Sequence, residues 1–214
     1  MNSFFSRFAG PLVTGVMVLA GQSALAADLV EGVQYKALKP SVPTSVAPGK
    51  VEVVEVFWYA CGHCYLLEPK LEAWNRKGRP AYVELVRMPA VWNDVLKTHA
   101  RLFYTIEVLG KPQLHDEVFR EINIRGNRLE TPEKIEAFLV SKGVAKADFQ
   151  KAFAGFAVES KLARAVDLNK RYRITSTPTV IVNGKYVTDA AMAGGEEQLF
   201  QAISALAARE KPAP

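Results

Sequence analysis

The chain has 214 residues, 49% of them hydrophobic, with 27 Lys and Arg against 22 Asp and Glu and a formal net charge of +5. That is enough apolar material for one domain, or one domain carrying an insertion, with its own core. The basic residues are scattered, which gives a nucleic-acid role little support, and two cysteines are too few for a disulfide-built scaffold.

Residues 1–26 read as an export signal. Arg7 is their only charge, Phe8 to Ala20 is largely apolar, and Ala24-Leu25-Ala26 has the small-x-small form of a cleavage site. The apolar run is short for a membrane span, which needs about 20 residues. The expectation is a protein exported to the periplasm of a Gram-negative bacterium, an oxidising compartment in which a disulfide persists.

Val33 to Leu38 alternates as a short strand, and Pro40, Pro43, Pro48 and Gly49 mark a loop. Val51 to Trp58 is β-branched and aromatic and predicts a buried strand. Tyr65 to Trp74 has apolar residues at helical spacing, with Pro69 inside the pattern expected to kink the helix. Ala81 to Arg87 supplies a second strand, which completes a βαβ unit.

From Asn93 to Arg173 only helical patterns occur, over 93–109, 113–124, 147–153 and 158–171, with another between Thr131-Pro132-Glu133 and Gly143. The hydroxyl, Pro, acid sequence at 131–133 is a strong helix start, and Gly143 a stop. Strand character returns at Thr177–Val182 and Lys185–Thr188, on either side of an Asn183-Gly184 hairpin signal. Glu196 to Ala208 is an amphipathic helix, and Lys211 to Pro214 a mobile tail.

The chemistry concentrates at Cys61-Gly62-His63-Cys64, where the first strand meets the first helix. A c-type haem site requires His directly after the second Cys, and that residue is Tyr65. Zinc requires four ligands, and His99 and His115 lack the paired spacing to complete a set around His63. A purely structural disulfide would close a very short ring and constrain the unfolded chain little. A redox-active dithiol fits the strand-turn-helix context best.

A thiol at a helix N-terminus faces unpaired N–H groups and the positive end of the macrodipole, which favour its thiolate. A helix end supplies about 0.3–1 kcal/mol, occasionally about 2, against about 1.36 kcal/mol per pKa unit. The dipole therefore accounts for roughly one unit. His63 is expected to add the rest by donating to the sulfur, the plainer reading being a solvent-facing turn residue.

Glu55-Val56-Phe57-Trp58-Tyr59-Ala60-Cys61-Gly62-His63-Cys64-Tyr65, Thr177-Pro178 and Val182-Asn183-Gly184-Lys185-Tyr186, in this order, resemble the DsbA family of periplasmic thiol:disulfide oxidoreductases. The resemblance covers nearly all of the chain after the export signal. It implies an α/β fold: a thioredoxin fold with an all-helical domain inserted between its βαβ and ββα halves. The thioredoxin-like domain would comprise 27–92 and 174–214, and the insertion 93–173.

The same resemblance implies the site. Cys61 would be the exposed nucleophile and Cys64 the buried resolving thiol. Pro178 would be a cis-proline facing the dithiol, and Thr177 would offer its backbone to an extended substrate. Glu55 would be a buried acid that moves a proton to or from Cys64; the plainer reading is an acid marking a strand edge, with Glu52 the comparable exposed case. Gly62 departs from the Pro common in the family, and the family's lysine partner for the buried acid has no match, Tyr82 standing at the comparable position. Burial without a cation would raise the Glu55 pKa.

Trp58, Tyr59, Tyr65, Met88 and Trp92 are expected to line an apolar groove beside the dithiol, with Trp74 and Phe103 in the core. The expected function is donation of the Cys61–Cys64 disulfide to folding exported proteins with free thiols. No other cofactor and no metal are expected. The protein would act as a monomer, reoxidised by a DsbB-type quinone-linked membrane partner. Gly62 and Thr177 keep open a disulfide isomerase or reductase of the same fold, and a periplasmic peptide-binding chaperone is the reading of a different class.

Overall fold

The computed structural model describes Met1 and residues 29–211. Apart from Met1, the export-signal reading of 1–26 lies outside them, as does the tail reading for 212–214.

Five strands form one sheet: β1 (Lys36–Ala37), β2 (Val51–Phe57), β3 (Val83–Pro89), β4 (Thr179–Val182) and β5 (Tyr186–Thr188), in the spatial order β1-β5-β4-β2-β3. β2 pairs in parallel with β3 and antiparallel with β4. A strand flanked on both sides has both faces covered, and all seven residues of β2 are buried. This includes Glu52, which sequence reasoning had placed in solvent: it is 2% exposed and accepts from the Ser45 backbone N–H at 2.8 Å and from the Ser45 hydroxyl. Pairing its carboxylate with two donors is what permits the burial.

Between β2 and β3 runs α1 (Gly62–Ala73), which carries Pro69 inside it and passes into a π-helical turn, Trp74–Gly78. Between β3 and β4 come α2 (Asp94–Val108), α3 (Leu114–Asn123), α4 (Pro132–Ser141), α5 (Lys146–Phe153) and α6 (Phe156–Arg171). α7 (Ala190–Ala193) and α8 (Glu196–Arg209) follow β5. This is a thioredoxin fold with helices inserted between its βαβ and ββα halves, the expected class. α4 starts as predicted, with the Thr131 hydroxyl accepting from Lys134 N–H and Pro132 in the first turn.

Alternation along β2 separates two cores. Val51 and Val53 pack with Leu67 and Leu71 of α1 and Leu199 and Ile203 of α8. Val54 and Val56 face the other way, into a cluster with Leu96, Leu102 and Ile106 of α2 and Phe119 of α3. By the same alternation Glu55 shares the face of Val51 and Val53, which α1 covers.

Two local expectations changed. The strand predicted over Val33–Leu38 reduces to Lys36–Ala37, with Val33 exposed. Only these two residues find a partner, the short β5. α7 was not foreseen; four residues are too few for a readable period, and it is held by the Asp189 carboxylate accepting from Met192 N–H at 2.7 Å.

The Asn183-Gly184 turn forms, both residues at positive φ (52° and 63°) and Lys185 N–H donating to Val182 C=O at 3.0 Å. The Gly184 carbonyl also accepts from Val42 N–H at 2.8 Å, and a Cβ on Gly184 would lie 1.8 Å from the Val42 carbonyl oxygen. Gly184→Ala should therefore lower stability by more than about 1 kcal/mol. Gly62→Ala, at a position with open space and no positive φ, should change it by less than about 0.5 kcal/mol in denaturant melts.

Candidate active site

The β2–β4 pairing builds the site. Val56 stands opposite Thr179, so the segment entering β4 is carried to the end of β2 from which the chain turns through Trp58-Tyr59-Ala60 into α1. Cys61 caps α1 with extended backbone, and its sulfur receives the Cys64 backbone N–H at 3.4 Å. The first turn of α1 contains no acidic residue to oppose a negative charge there. From the other side comes Thr177, whose carbonyl lies 3.4 Å from the Cys61 sulfur. The Thr177–Pro178 bond is cis, as is Lys39–Pro40.

The two cysteines are free thiols with opposite tendencies. Cys61 is half-buried and its pKa falls to about 5. The Cys64 thiol donating to its sulfur contributes most; burial opposes; the Thr177 hydroxyl and the backbone N–H groups of Cys64 and His63 add to the lowering. Cys64 is fully buried, and that burial, with its donor role toward Cys61, pushes its pKa far up. One sulfur is a thiolate at neutral pH and its neighbour a thiol.

His63 differs from expectation. Its side chain is exposed and makes no hydrogen bond among the described residues, and its contribution to the thiolate comes from its backbone N–H. Gly62 is exposed beside it, and Pro178 is half-buried.

Trp58 is half-buried and donates its indole N–H to His99 Nδ1 at 2.9 Å. An indole only donates, so Nδ1 accepts, and the His99 proton sits on Nε2, 2.8 Å from the Arg128 carbonyl. Burial lowers the His99 pKa, in keeping with a neutral ring.

Tyr59 and Met88 are corrections. Tyr59 is 0% exposed, lies edge-on to Phe57 and Phe119, and bonds His115 Nδ1 through its hydroxyl at 2.8 Å. It lies beneath the surface, as does Met88, so neither lines a groove. Trp58, Tyr65 and the exposed Trp92 keep accessible surface, while Trp74 and Phe103 are in the core.

Glu55 is fully buried, and the expectation that it lacks a cation is overturned. The strands run in step from Val51↔Val83 to Phe57↔Pro89, so Glu55 stands opposite Arg87. Arg87 Nε lies 3.6 Å from Glu55 Oε2, and its Nη2 bonds Glu68 Oε1 at 2.6 Å and also reaches Glu72. One guanidinium serves three carboxylates. Burial, then repulsion from Glu68, raises the Glu55 pKa to about 8 against the attraction of Arg87. Burial also works against ionised Glu68, but His115 beside it and the hydrogen bond and charge of Arg87 outweigh burial and hold that carboxyl low. Tyr82 is elsewhere, packed on the core that contains Val51, Val53 and Leu71.

Arg87, Glu68 and His115 were not anticipated. Arg87 was legible in principle, since two seven-residue strands paired in step oppose a buried acid to the cation at 87. Glu68 sits on the buried stripe of α1 with Cys64, Leu67 and Leu71. An acid on an apolar stripe was the available signal.

Two predictions follow from these contacts. Thr177→Val removes a donor to the thiolate and should raise the Cys61 pKa by about one unit, read from thiolate absorbance against pH. Glu55→Gln should stabilise the protein at pH 7. A carboxyl whose folded pKa is raised contributes stability below its unfolded pKa of about 4.3 and loses it as pH rises toward 8. The gain, on the order of 1–3 kcal/mol at pH 7 in denaturant melts, should vanish near pH 4.

Comparison with known proteins agrees with this geometry. Residues 83–207 match the family described as DSBA-like thioredoxin domain. The thiol:disulfide interchange protein DsbA of Pseudomonas syringae pv. tomato is 42% identical over 197 residues, 91% of each chain. DsbA of Pseudomonas aeruginosa is 38% identical over 206 residues, 94% of this chain and 97% of its relative. The crystal structure of Pseudomonas aeruginosa DsbA superposes with a TM-score of 0.79 at 39% identity, covering 84% of this chain and 93% of that one.

Proposed function

The chain belongs to the DsbA family of thiol:disulfide oxidoreductases, and from that premise we propose that Cys61 and Cys64 work in the oxidising direction, passing their disulfide to exported proteins with free thiols. The observation that supports this most is the Cys61 thiolate, held by donors from α1 and from Thr177. A low-pKa thiol is a good leaving group, and stabilising it stabilises the reduced enzyme, which makes the disulfide a stronger oxidant.

In this reading a substrate thiolate attacks the Cys61 sulfur of the oxidised enzyme. The Cys61–Cys64 bond breaks, its electron pair goes to Cys64, and Glu55 protonates the buried Cys64 sulfur. The substrate's second thiolate then attacks its own sulfur in the mixed disulfide, and Cys61 leaves as thiolate. Thr177 offers its carbonyl, and Pro178 and Gly62 a surface, to the extended substrate, with Trp58 beside them. His63 shapes the start of α1 and lends its backbone N–H. Reoxidation falls to a DsbB-type quinone-linked membrane partner, in the periplasm, with the protein acting as a monomer.

Equilibration of the dithiol with glutathione tests the direction. An oxidase requires a strongly oxidising equilibrium; a poise close to thioredoxin's would favour a reductase. Cys61→Ser should abolish exchange, whereas a peptide-binding chaperone would keep its activity.

The two redox forms should also respond oppositely to pH. The folded Cys61 pKa lies below the unfolded value of about 8.5. Its contribution to the reduced form is complete above the unfolded value and is lost as pH falls toward 5. At pH 7 it is at most about 2–3 kcal/mol, reduced by solvent screening at this half-exposed sulfur. Closing a ring of this length stabilises the oxidised form by about 2 kcal/mol at any pH. Reduced protein should be the more stable at pH 8 and oxidised protein at pH 4. Parallel denaturant melts with no such crossing would remove the thiolate from the energetics.

A further inference from the structure

Trp58 is held at three points. Its indole N–H donates to His99 Nδ1 at 2.9 Å, its carbonyl accepts from Cys61 N–H at 3.0 Å, and its backbone N–H lies beside the Cys64 sulfur. One residue thus meets both cysteines through its main chain and α2 through its side chain.

The far end of this chain of bonds is fixed as well. His99 is buried, and its Nε2–H donates to the Arg128 carbonyl at 2.8 Å. The next residue, Leu129, has φ 49° and is fully buried, in the same core as Leu96 and Phe119. A branched side chain at such a φ is unfavourable and persists only where its surroundings impose it. The carbonyl that His99 holds is therefore an anchor and does not follow the ring. A neutral imidazole has one donor and one acceptor, and His99 uses both.

What Trp58 can do from this position concerns Cys64. Attack on Cys61 in the oxidised protein sends the electrons of the disulfide to the Cys64 sulfur, which is sealed from solvent. Burial, the bond that Cys64 gives to Cys61 and the charges of Cys61 and Glu55 all oppose a thiolate there; the Trp58 backbone N–H favours it. A donor already in place where charge develops lowers the barrier, because nothing has to reorganise at that moment.

We propose that the Trp58 backbone N–H is the preorganised donor to the departing Cys64 sulfur, and that His99 is the residue that positions it. The proposal rests on the oxidising exchange proposed for Cys61 and Cys64. The substrate thiolate forms a bond to the Cys61 sulfur, the Cys61–Cys64 bond breaks, and its electron pair collects on Cys64 against the Trp58 N–H. One proton from the Glu55 carboxyl then neutralises that sulfur and leaves a carboxylate. A thiol is a weak acceptor, so the donor helps the passage between oxidised and reduced protein and does little for either end state. His99 touches neither sulfur nor substrate. It is a positioning residue that keeps Trp58 from turning away as the disulfide opens.

The signature is a rate that changes while the equilibrium does not. For each variant, the second-order rate of reduction of the oxidised protein by a dithiol peptide is measured at pH 7.5, together with its equilibrium against glutathione. His99→Leu can neither accept nor donate; it should slow reduction at least about tenfold and leave the equilibrium constant within about twofold of wild type. His99→Asn, whose Oδ1 stands in for Nδ1, should recover most of the rate. Trp58→Phe lacks the indole N–H and should be slowed as much as His99→Leu, with the double variant no slower than either, as expected of two residues acting through one bond. A His99→Leu rate within twofold of wild type overturns the positioning role, as does slowing matched by an equal shift in the equilibrium, or a double variant slowed by the product of the single effects. In each of these cases wild-type exchange stands. Wild-type protein that does not exchange with the peptide removes the oxidising reading, and this proposal with it. If His99→Leu does not fold, Trp58→Phe decides: slowing at an unchanged equilibrium supports the role, and a wild-type rate overturns it.

Discussion

One negative charge, on the Cys61 sulfur, is what the surrounding structure is arranged to hold. Its donors come from parts of the chain far apart in sequence: the Cys64 thiol and backbone N–H groups of α1, and the Thr177 hydroxyl from the segment entering β4. They meet because β2 pairs with β4 in a register that sets Val56 against Thr179. A helix terminus alone lowers a thiol pKa by roughly one unit. The further fall to about 5 needs these additional donors. The sheet is therefore part of the chemistry: a slip of that register would remove Thr177 and leave Cys61 with its own helix.

The second sulfur shows the complementary constraint. Cys64 is sealed, and Glu55 is sealed as well. A fully desolvated carboxylate is unfavourable unless paired, and Glu55 must share Arg87 with Glu68 and Glu72. The cluster resolves this excess of acid by leaving Glu55 protonated near neutrality while Glu68 stays ionised. Glu55 and Glu68, two of the three carboxyls on that guanidinium, thus titrate far apart. A carboxyl whose folded pKa is raised in this way lowers stability at pH 7.

The local grammar of the fold was legible. The β-branched run at 51–57, the Thr131-Pro132 helix start and the Asn183-Gly184 turn each carry a short-range physical signal, and the structure has all three elements. The dithiol and the helix it caps were legible for the same reason. What could not be read was set by tertiary partners. Tyr59 follows a strand and precedes the dithiol, which suggested a surface role, but α3 packs over it. Glu52 looked exposed because Ser45, its partner, lies in an irregular Pro-rich loop. Arg87 depends on the register of two strands, and His115 on which face of α3 turns inward. Sequence patterns specify faces; they do not specify which two faces meet.

The helices between β3 and β4 contribute to the site even though the reacting sulfurs lie outside them. From α2, His99 accepts the Trp58 indole N–H and so fixes the side chain three residues before Cys61. From α3, His115 bonds the Tyr59 hydroxyl, and Asn123 donates to the Tyr59 carbonyl at 2.8 Å. The turn between β2 and α1 is thereby held by three side chains of the helical block. Such a turn, left to itself, would be mobile. The first of these bonds demands one protonation state: Trp58 needs a neutral His99 with Nδ1 free, and burial favours it. Held this way, the turn delivers Cys61 to Thr177 without paying ordering entropy at each encounter with substrate. The βαβ and ββα halves supply the Cys61 sulfur and its donors; the helices between them hold the turn that brings the two together.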